Sequence, residues 1–123
     1  MTEETKALYQ RLMGTQCLKG TLGESGGNIL WRFHEHLTLA IYVDDRDTYV
    51  DVNNGMTHFH PDEEELYDDL MDIMHGETVF VTKLGLFGRY ISWAGTKKSF
   101  EKYRALLTIG VGVRCVSGGG VVR

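Results

Sequence analysis

The residues best suited to metal or acid–base chemistry are four histidines that occur as two His-x-His pairs. The first pair is His34 and His36, and the second is His58 and His60. In a β-strand, residues two apart point to the same face and lie about 6.6 Å apart along the chain. Two pairs on neighbouring strands could bring four imidazoles to one divalent transition metal. The spacing predicts a candidate metal site, with surface or packed histidines and acid–base use as alternatives.

Six carboxylates follow closely on the second pair, within residues 62–69. Asp62 is a favoured helix N-cap residue, and Glu65 three positions later would complete a capping box. The glutamates of the first turn also suit the positive end of a helix. Helix initiation therefore explains the acidic run, which needs no catalytic role, and predicts a helix from Asp62 to His75.

No nucleophile motif is present. None of the four serines lies in a G-x-S-x-G sequence, and the two cysteines, Cys17 and Cys115, form no CxxC pair. We expect both cysteines to be free thiols, with a single disulfide as the alternative. The sequence therefore favours a non-enzymatic role, assigns no catalytic residue and implies no cofactor other than the divalent metal.

The elements that must position the histidines follow from hydrophobic periodicity. A run of alternating apolar residues predicts either one long bent strand or two strands broken near the first histidine pair. Its members are Ile29, Trp31, Phe33, Leu37, Leu39, Ile41 and Val43. We expect them to be buried, with Arg32, Thr38 and Tyr42 on the opposite face. Asn53-Asn54-Gly55 predicts a tight turn, because Asn and Gly tolerate positive φ.

The remaining periodicity completes the predicted fold. Periodicity predicts a helix at residues 3–13, and strands at 78–85, 88–93 and 107–116. It predicts a helix at residues 97–107, with a strand as the alternative. The glycine-rich residues 19–28 read as a connector. The pattern predicts an α+β protein, a two-layer sandwich. Its mostly antiparallel or mixed sheet would have about five to six strands, with two to three helices on one face. We expect residues 1–123 to form a single domain, with 117–123 as a flexible or loosely docked tail.

Charge is distributed unevenly along the chain. The net charge is −4, but residues 1–75 carry fifteen acids against five bases, and residues 76–123 carry two acids against eight bases. An acidic face suits a protein partner. The alternative is that the two halves pack together and partly neutralise each other. Bases and aromatics mixed between Lys83 and Arg104 resemble a surface for single-stranded nucleic acid, but the isoelectric point near 5.7 argues against nucleic acid.

Together these features predict a small cytosolic protein with a binding or regulatory role, acting on a protein partner or as a homo-oligomer. No signal peptide and no run of about 20 apolar residues is present, so we expect a cytoplasmic location and no membrane partner. Two alternatives stay open. One is a metal-binding or metal-dependent protein that uses the paired histidines, and the other is an immunity or antitoxin-type protein that faces a basic partner.

Overall fold

The computed structural model describes all residues from Met1 to Arg123 and contains two separate β-sheets and three helices. The helices are α1 (Glu3–Met13), α2 (Glu63–Met74) and α3 (Lys97–Leu107). The first sheet contains, in spatial order, β1 (Thr21–Ser25), β2 (Asn28–His34), β3 (Leu37–Val43), β4 (Thr48–Val52) and β5 (Thr57–Phe59). The second contains β6 (Thr78–Gly85), β7 (Gly88–Thr96), β8 (Arg114–Ser117) and β9 (Gly120–Val121), in the spatial order β7-β6-β8-β9. All strand pairs are antiparallel, and the predicted α+β class is confirmed.

The alternating residues form two strands of one hairpin, β2 and β3, rather than one long strand. Trp31 pairs with Leu39 across the hairpin, and both side chains are fully buried. Arg32 and Thr38 face the other way, and Arg32 is exposed. The predicted division of faces is therefore confirmed, except that Phe33 is only partly buried. It leaves one surface of the first sheet free of helices.

The three helices occupy the predicted segments, but the predicted cap of α2 is not formed. The Thr96 hydroxyl accepts the Ser99 N–H at 3.1 Å and caps α3. Asp62 is the N-cap residue of α2, yet its carboxylate makes no capping hydrogen bond. The Glu65 N–H, which the carboxylate was expected to bind, instead donates to the Asp62 carbonyl at 2.9 Å. The predicted capping box was therefore wrong.

Two apolar cores of unequal size hold the elements together. The larger core has fifteen buried residues and lies among the first sheet, α1 and α2, with Phe80 and Val116 joining it from the second sheet. The smaller core has four buried residues, Val79, Val81, Phe100 and Cys115, between the second sheet and α3. Both faces of the second sheet are therefore used, and α3 does not share a layer with α1 and α2.

Sheet number and three segments differ from the prediction. Residues 21–25, predicted as part of a connector, form β1, because the turn at Gly26-Gly27, with φ of 59° and 84°, folds them back onto β2. The expected single sheet is divided because α2 separates β5 from β6, and β6 pairs with β7 and β8 instead. Residues 109–113 form a loop before β8 rather than a strand. The segment 117–123, expected to be a tail, begins with the β8–β9 hairpin.

None of the three helices combines the length and the apolar character that crossing a membrane would require.

Candidate functional site

A polar cleft of about 450 Å³ lies where the helix-free face of the first sheet meets the end of the second sheet. Residues of β2, β3 and the β4–β5 turn form one wall, and residues of β6, β7 and β8 form the other. The side chains that line it are Leu30, Arg32, Glu35, His36, Thr38, Ala40, Asn53, Asn54, Met56, Thr82, Arg89 and Arg114. Three arginines and one histidine therefore converge on a single concavity.

Strand register brings the three arginines together. Arg32 lies on β2 with the outward parity, opposite the buried Trp31 and the partly buried Phe33. Arg114 is the first residue of β8 and pairs with Thr82 of β6. Arg89 of β7 pairs with Leu84, which is also in β6. Because Thr82 and Leu84 are two residues apart on one strand, Arg89 and Arg114 lie on the same face of the second sheet.

The Arg89 side chain is clamped at one end of its guanidinium. Its Nη1 donates to the hydroxyl oxygen of Thr82 at 2.9 Å and to the carbonyl oxygen of Gly112 at 2.7 Å. No hydrogen bond in the structure uses its Nη2 or Nε. Partial burial, and then the charge of Arg114, lower the pKa of Arg89 below its ordinary value. The guanidinium nevertheless stays charged, since an arginine is not deprotonated in proteins.

Arg114 is positioned by His36. Its Nη1 donates to the Nδ1 of His36 at 3.0 Å, so that nitrogen is unprotonated in this arrangement. The other ring nitrogen, Nε2, lies 3.3 Å from a carboxylate oxygen of Glu35. Both ring nitrogens of His36 are therefore engaged with neighbouring side chains, and the imidazole holds the guanidinium of Arg114 against the first sheet.

No acidic side chain neutralises the arginines. The ion pairs of the protein include none of Arg32, Arg89 and Arg114. Glu35 is the only acid that lines the cleft; its side chain is 84% exposed, and its close contact is with His36. The cleft therefore holds three unpaired positive charges against one exposed carboxylate.

Asn53 fixes the rim of the cleft. Its Nδ2 donates to the His36 carbonyl oxygen, and its Oδ1 accepts the Thr38 N–H, both at 2.9 Å. Asn53 and Asn54 adopt φ of 53° and 58°, so the tight turn predicted at this segment is confirmed. The side chain ties the β4–β5 turn to the β2–β3 turn that carries His36.

The first histidine pair is divided between two tasks. Only His36 lines the cleft, whereas His34 packs between the sheets. The Nε2 of His34 lies 2.7 Å from the carbonyl oxygen of Ser117, and its Nδ1 accepts the His36 N–H at 3.1 Å. Both of its ring nitrogens therefore have backbone partners.

The second histidine pair lies outside the cleft. The rings of His58 and His60 meet edge to face at 5.4 Å, and Nδ1 of His60 lies 3.0 Å from a carboxylate oxygen of Asp47. His60 borders a shallow acidic depression instead. No group of three or more His, Cys, Asp or Glu side chains is placed to hold a metal ion. The four-histidine metal site stays a prediction.

Sequence reasoning did not identify the arginines of the cleft. In the sequence, Arg89 belongs only to a segment that mixes bases with aromatics, and Arg114 only to the predicted final strand. The available signal was weak: Arg32 stands on the outward parity of an otherwise apolar strand, and Arg114 precedes three buried residues. Their convergence depends on pairing between distant strands, which local spacing does not encode.

Comparison of the chain with protein-family models, with curated proteins and with solved structures found no match. The arrangement of the cleft is therefore the basis for inferring function.

Proposed function

We propose that this protein is a binding protein whose cleft holds an anionic ligand through a phosphate or carboxylate group. The observation that carries the proposal is that Arg32, Arg89 and Arg114 line one cleft without a counter-ion. Like charges confined together raise the free energy of the folded protein, and a bound anion would remove that cost. Guanidinium groups bind planar and tetrahedral oxyanions with paired N–H donors.

The positions of the arginines suit binding because two of them are already ordered. Thr82 and Gly112 hold Arg89, and His36 holds Arg114. A side chain that is fixed before the ligand arrives loses less conformational freedom on binding. The Nε and Nη2 groups of Arg89 remain free to donate, which leaves an unused pair of donors for one oxyanion.

Apolar side chains in the same cleft would contact the rest of the ligand. Leu30 and Ala40 come from neighbouring strands of the first sheet, and Met56 lies in the β4–β5 turn. A volume of about 450 Å³ lies within the range of small-molecule sites, roughly 300–1,000 Å³. The ligand we propose is therefore a small molecule, or a short acidic segment of a protein, with one anionic end.

A binding role is favoured over catalysis by the chemistry of the converging groups. A guanidinium stays protonated at neutral pH, so the arginines can attract and orient charge but cannot act as acid or base. The one histidine of the cleft uses both ring nitrogens on protein partners. The sequence also predicts a binding role, a cytoplasmic location and a protein partner. All three are proposals. No observation favours the metal-dependent or immunity-type alternatives.

The test is calorimetric titration with inorganic phosphate and, in parallel, with citrate. We expect wild-type protein to bind at least one of them, and Arg114→Gln to weaken the affinity about tenfold or more. That loss corresponds to a charged hydrogen bond contributing about 1.5–3 kcal/mol. Arg32→Gln should weaken binding too, and it is a safe second variant because the Arg32 side chain is exposed and makes no hydrogen bond.

Arg46→Gln is the matched control, because Arg46 is an exposed arginine in the turn between β3 and β4 and does not line the cleft. Its affinity should equal that of the wild type. No heat with either anion, or equal losses in Arg46→Gln and Arg114→Gln, would reject the proposed function.

A further inference from the structure

Four exposed apolar side chains lie at or beside one end of the second sheet. Leu86 and Phe87 form the turn of the β6–β7 hairpin and are 99% and 103% exposed. Ile109 and Val111, in the loop before β8, are 65% and 72% exposed. We call these four residues the apolar tip. Because the Leu84 N–H donates to the Val111 carbonyl at 2.9 Å, the loop lies beside the end of the hairpin.

The apolar tip has no role within the fold. None of its members belongs to either core or packs against one. The hairpin turn reads Gly-Leu-Phe-Gly, and a Cβ placed on Gly88 would meet no atom within 4 Å. Leu86 and Phe87 are almost fully exposed, and none of the four tip residues lines any of the five main pockets, so the tip protrudes without a groove of its own. Side chains this exposed and this close together mark a surface that contacts something apolar.

Two basic residues, Lys83 and Arg89, border the apolar tip. Lys83 lies against the same loop, since a Cβ on Gly110 would stand 3.0 Å from its Cδ. Arg89 comes two residues after Phe87 and reaches the loop through Gly112. An apolar protrusion bordered by basic residues is complementary to an anionic, apolar partner.

We propose that the apolar tip docks onto the surface of an anionic lipid bilayer. A bilayer accepts a convex apolar protrusion without a preformed pocket, whereas a protein partner would have to supply one. Association of two copies tip to tip would bring Lys83 and Arg89 of both copies together, and like charges oppose that contact. The expectation of no membrane partner rests on the absence of a spanning segment, and this peripheral contact needs none. The proposal goes beyond the anion-binding function and does not require an occupied cleft.

Vesicle cosedimentation tests the proposal. We expect wild-type protein to sediment with vesicles of equimolar phosphatidylglycerol and phosphatidylcholine, and much less with phosphatidylcholine alone. The double variant Leu86→Ser, Phe87→Ser should lower the affinity for the anionic vesicles about tenfold or more, since both side chains would no longer leave water. Met13→Ser is the matched control: Met13 is 56% exposed but lies on α1, and its substitution should change nothing.

Several results would overturn the proposal. One is that the wild-type protein stays in the supernatant with the anionic vesicles, as expected if the apolar tip contacts a protein partner. Another is that the double variant binds the anionic vesicles as strongly as the wild type. A wild type that is dimeric by light scattering without lipid, and a monomeric double variant, would assign the apolar tip to self-association. The phosphate titration needs no vesicles, and the double variant keeps every arginine of the cleft. Failure of the docking proposal is thereby separable from failure of the proposed function.

Discussion

The two sheets of this protein differ in what they do with their apolar residues. The first sheet, with α1 and α2, places them in a core of fifteen buried residues. The second sheet and α3 share a core of four. Of the ten large apolar residues that are exposed, nine lie after Gly76. The same part of the chain carries eight bases against two acids.

The two sheets therefore differ in how much they contribute to the core and to the surface of the protein. The first sheet buries its apolar face in the larger core, and its outward face forms one wall of the cleft. The second sheet contributes less to stability and more to the surface, through Arg89, Arg114 and the apolar tip. Phe80 and Val116 join the larger core, so the second sheet is anchored where it meets the first.

The largest effect should come from the centre of the larger core. Trp31 is fully buried, and its Nε1 donates to the Lys19 carbonyl at 2.8 Å. Trp31→Ala should lower the free energy of unfolding by about 3–5 kcal/mol, measured by urea denaturation. Phe87→Ala, an equally drastic truncation at the exposed tip, should change it by no more than about 0.5 kcal/mol. Similar losses of unfolding free energy in Trp31→Ala and Phe87→Ala would contradict the difference between the two sheets.

A smaller effect is expected at the junction between the two regions. Gly118, in the β8–β9 turn, donates its N–H to the Ile73 carbonyl at the end of α2, at 3.1 Å. A Cβ on Gly118 would collide with that carbonyl and would lie 2.8 Å from the Met74 carbonyl oxygen. Gly118→Ala should therefore destabilise the protein by about 1–3 kcal/mol, the usual cost of overpacking.

Gly119→Ala is the control for the junction. A Cβ there would meet only the Ser117 hydroxyl, at 3.7 Å, and Gly119 does not have a positive φ. The melting temperatures of Gly118→Ala and Gly119→Ala test whether the contact between the β8–β9 turn and α2 stabilises the protein. Equal melting temperatures would mean that the contact between α2 and the β8–β9 turn does not couple the sheets.

The smallest change in the free energy of unfolding is expected in α2, the acid-rich helix that packs in the larger core. Partial burial, then the neighbouring carboxylates of Asp72, Asp68 and Asp62, raise the pKa of Asp69 above its ordinary value. A raised folded-state pKa penalises folding above the unfolded-state value. The penalty fades as the pH falls through the folded-state pKa, where Asp69 becomes protonated.

Asp69→Asn should therefore stabilise the protein at neutral pH, by about 0.2–0.5 kcal/mol, the size of like-charge repulsion on a helix. The gain should shrink as the solution is acidified, which a series of thermal melts across the pH range would measure. A stabilisation that persists unchanged at acid pH would show that charge is not its cause.

Local patterns predicted the elements of this fold well, because periodicity and helix ends are local properties. α1, α3 and β6 occupy the predicted residues, and the buried parity of Trp31 and Leu39 is as expected. The division into two sheets was not predicted, since it depends on β6 pairing with β8 rather than with β5. The Asp62 cap failed for a local reason, as its backbone carbonyl took the N–H that its side chain was expected to bind.

The candidate site was harder to predict than the fold. Histidine pairs drew attention because their spacing is visible in one stretch of sequence, yet only His36 reaches the cleft. Arg32, Arg89 and Arg114 are far apart in the chain and form no motif. They converge because β2 belongs to one sheet while β7 and β8 belong to the other, and that meeting of sheets is a tertiary property.

The central claim, that the three arginines form one anion site, is tested most directly by NMR of the arginine side chains. Titration with inorganic phosphate would be followed at the Nε–H signals of all the arginines. We expect the signals of Arg32, Arg89 and Arg114 to shift together with one saturation curve, while those of Arg46 and Arg123 stay in place. Shifts of similar size at every arginine, or none at the three cleft residues, would contradict the account.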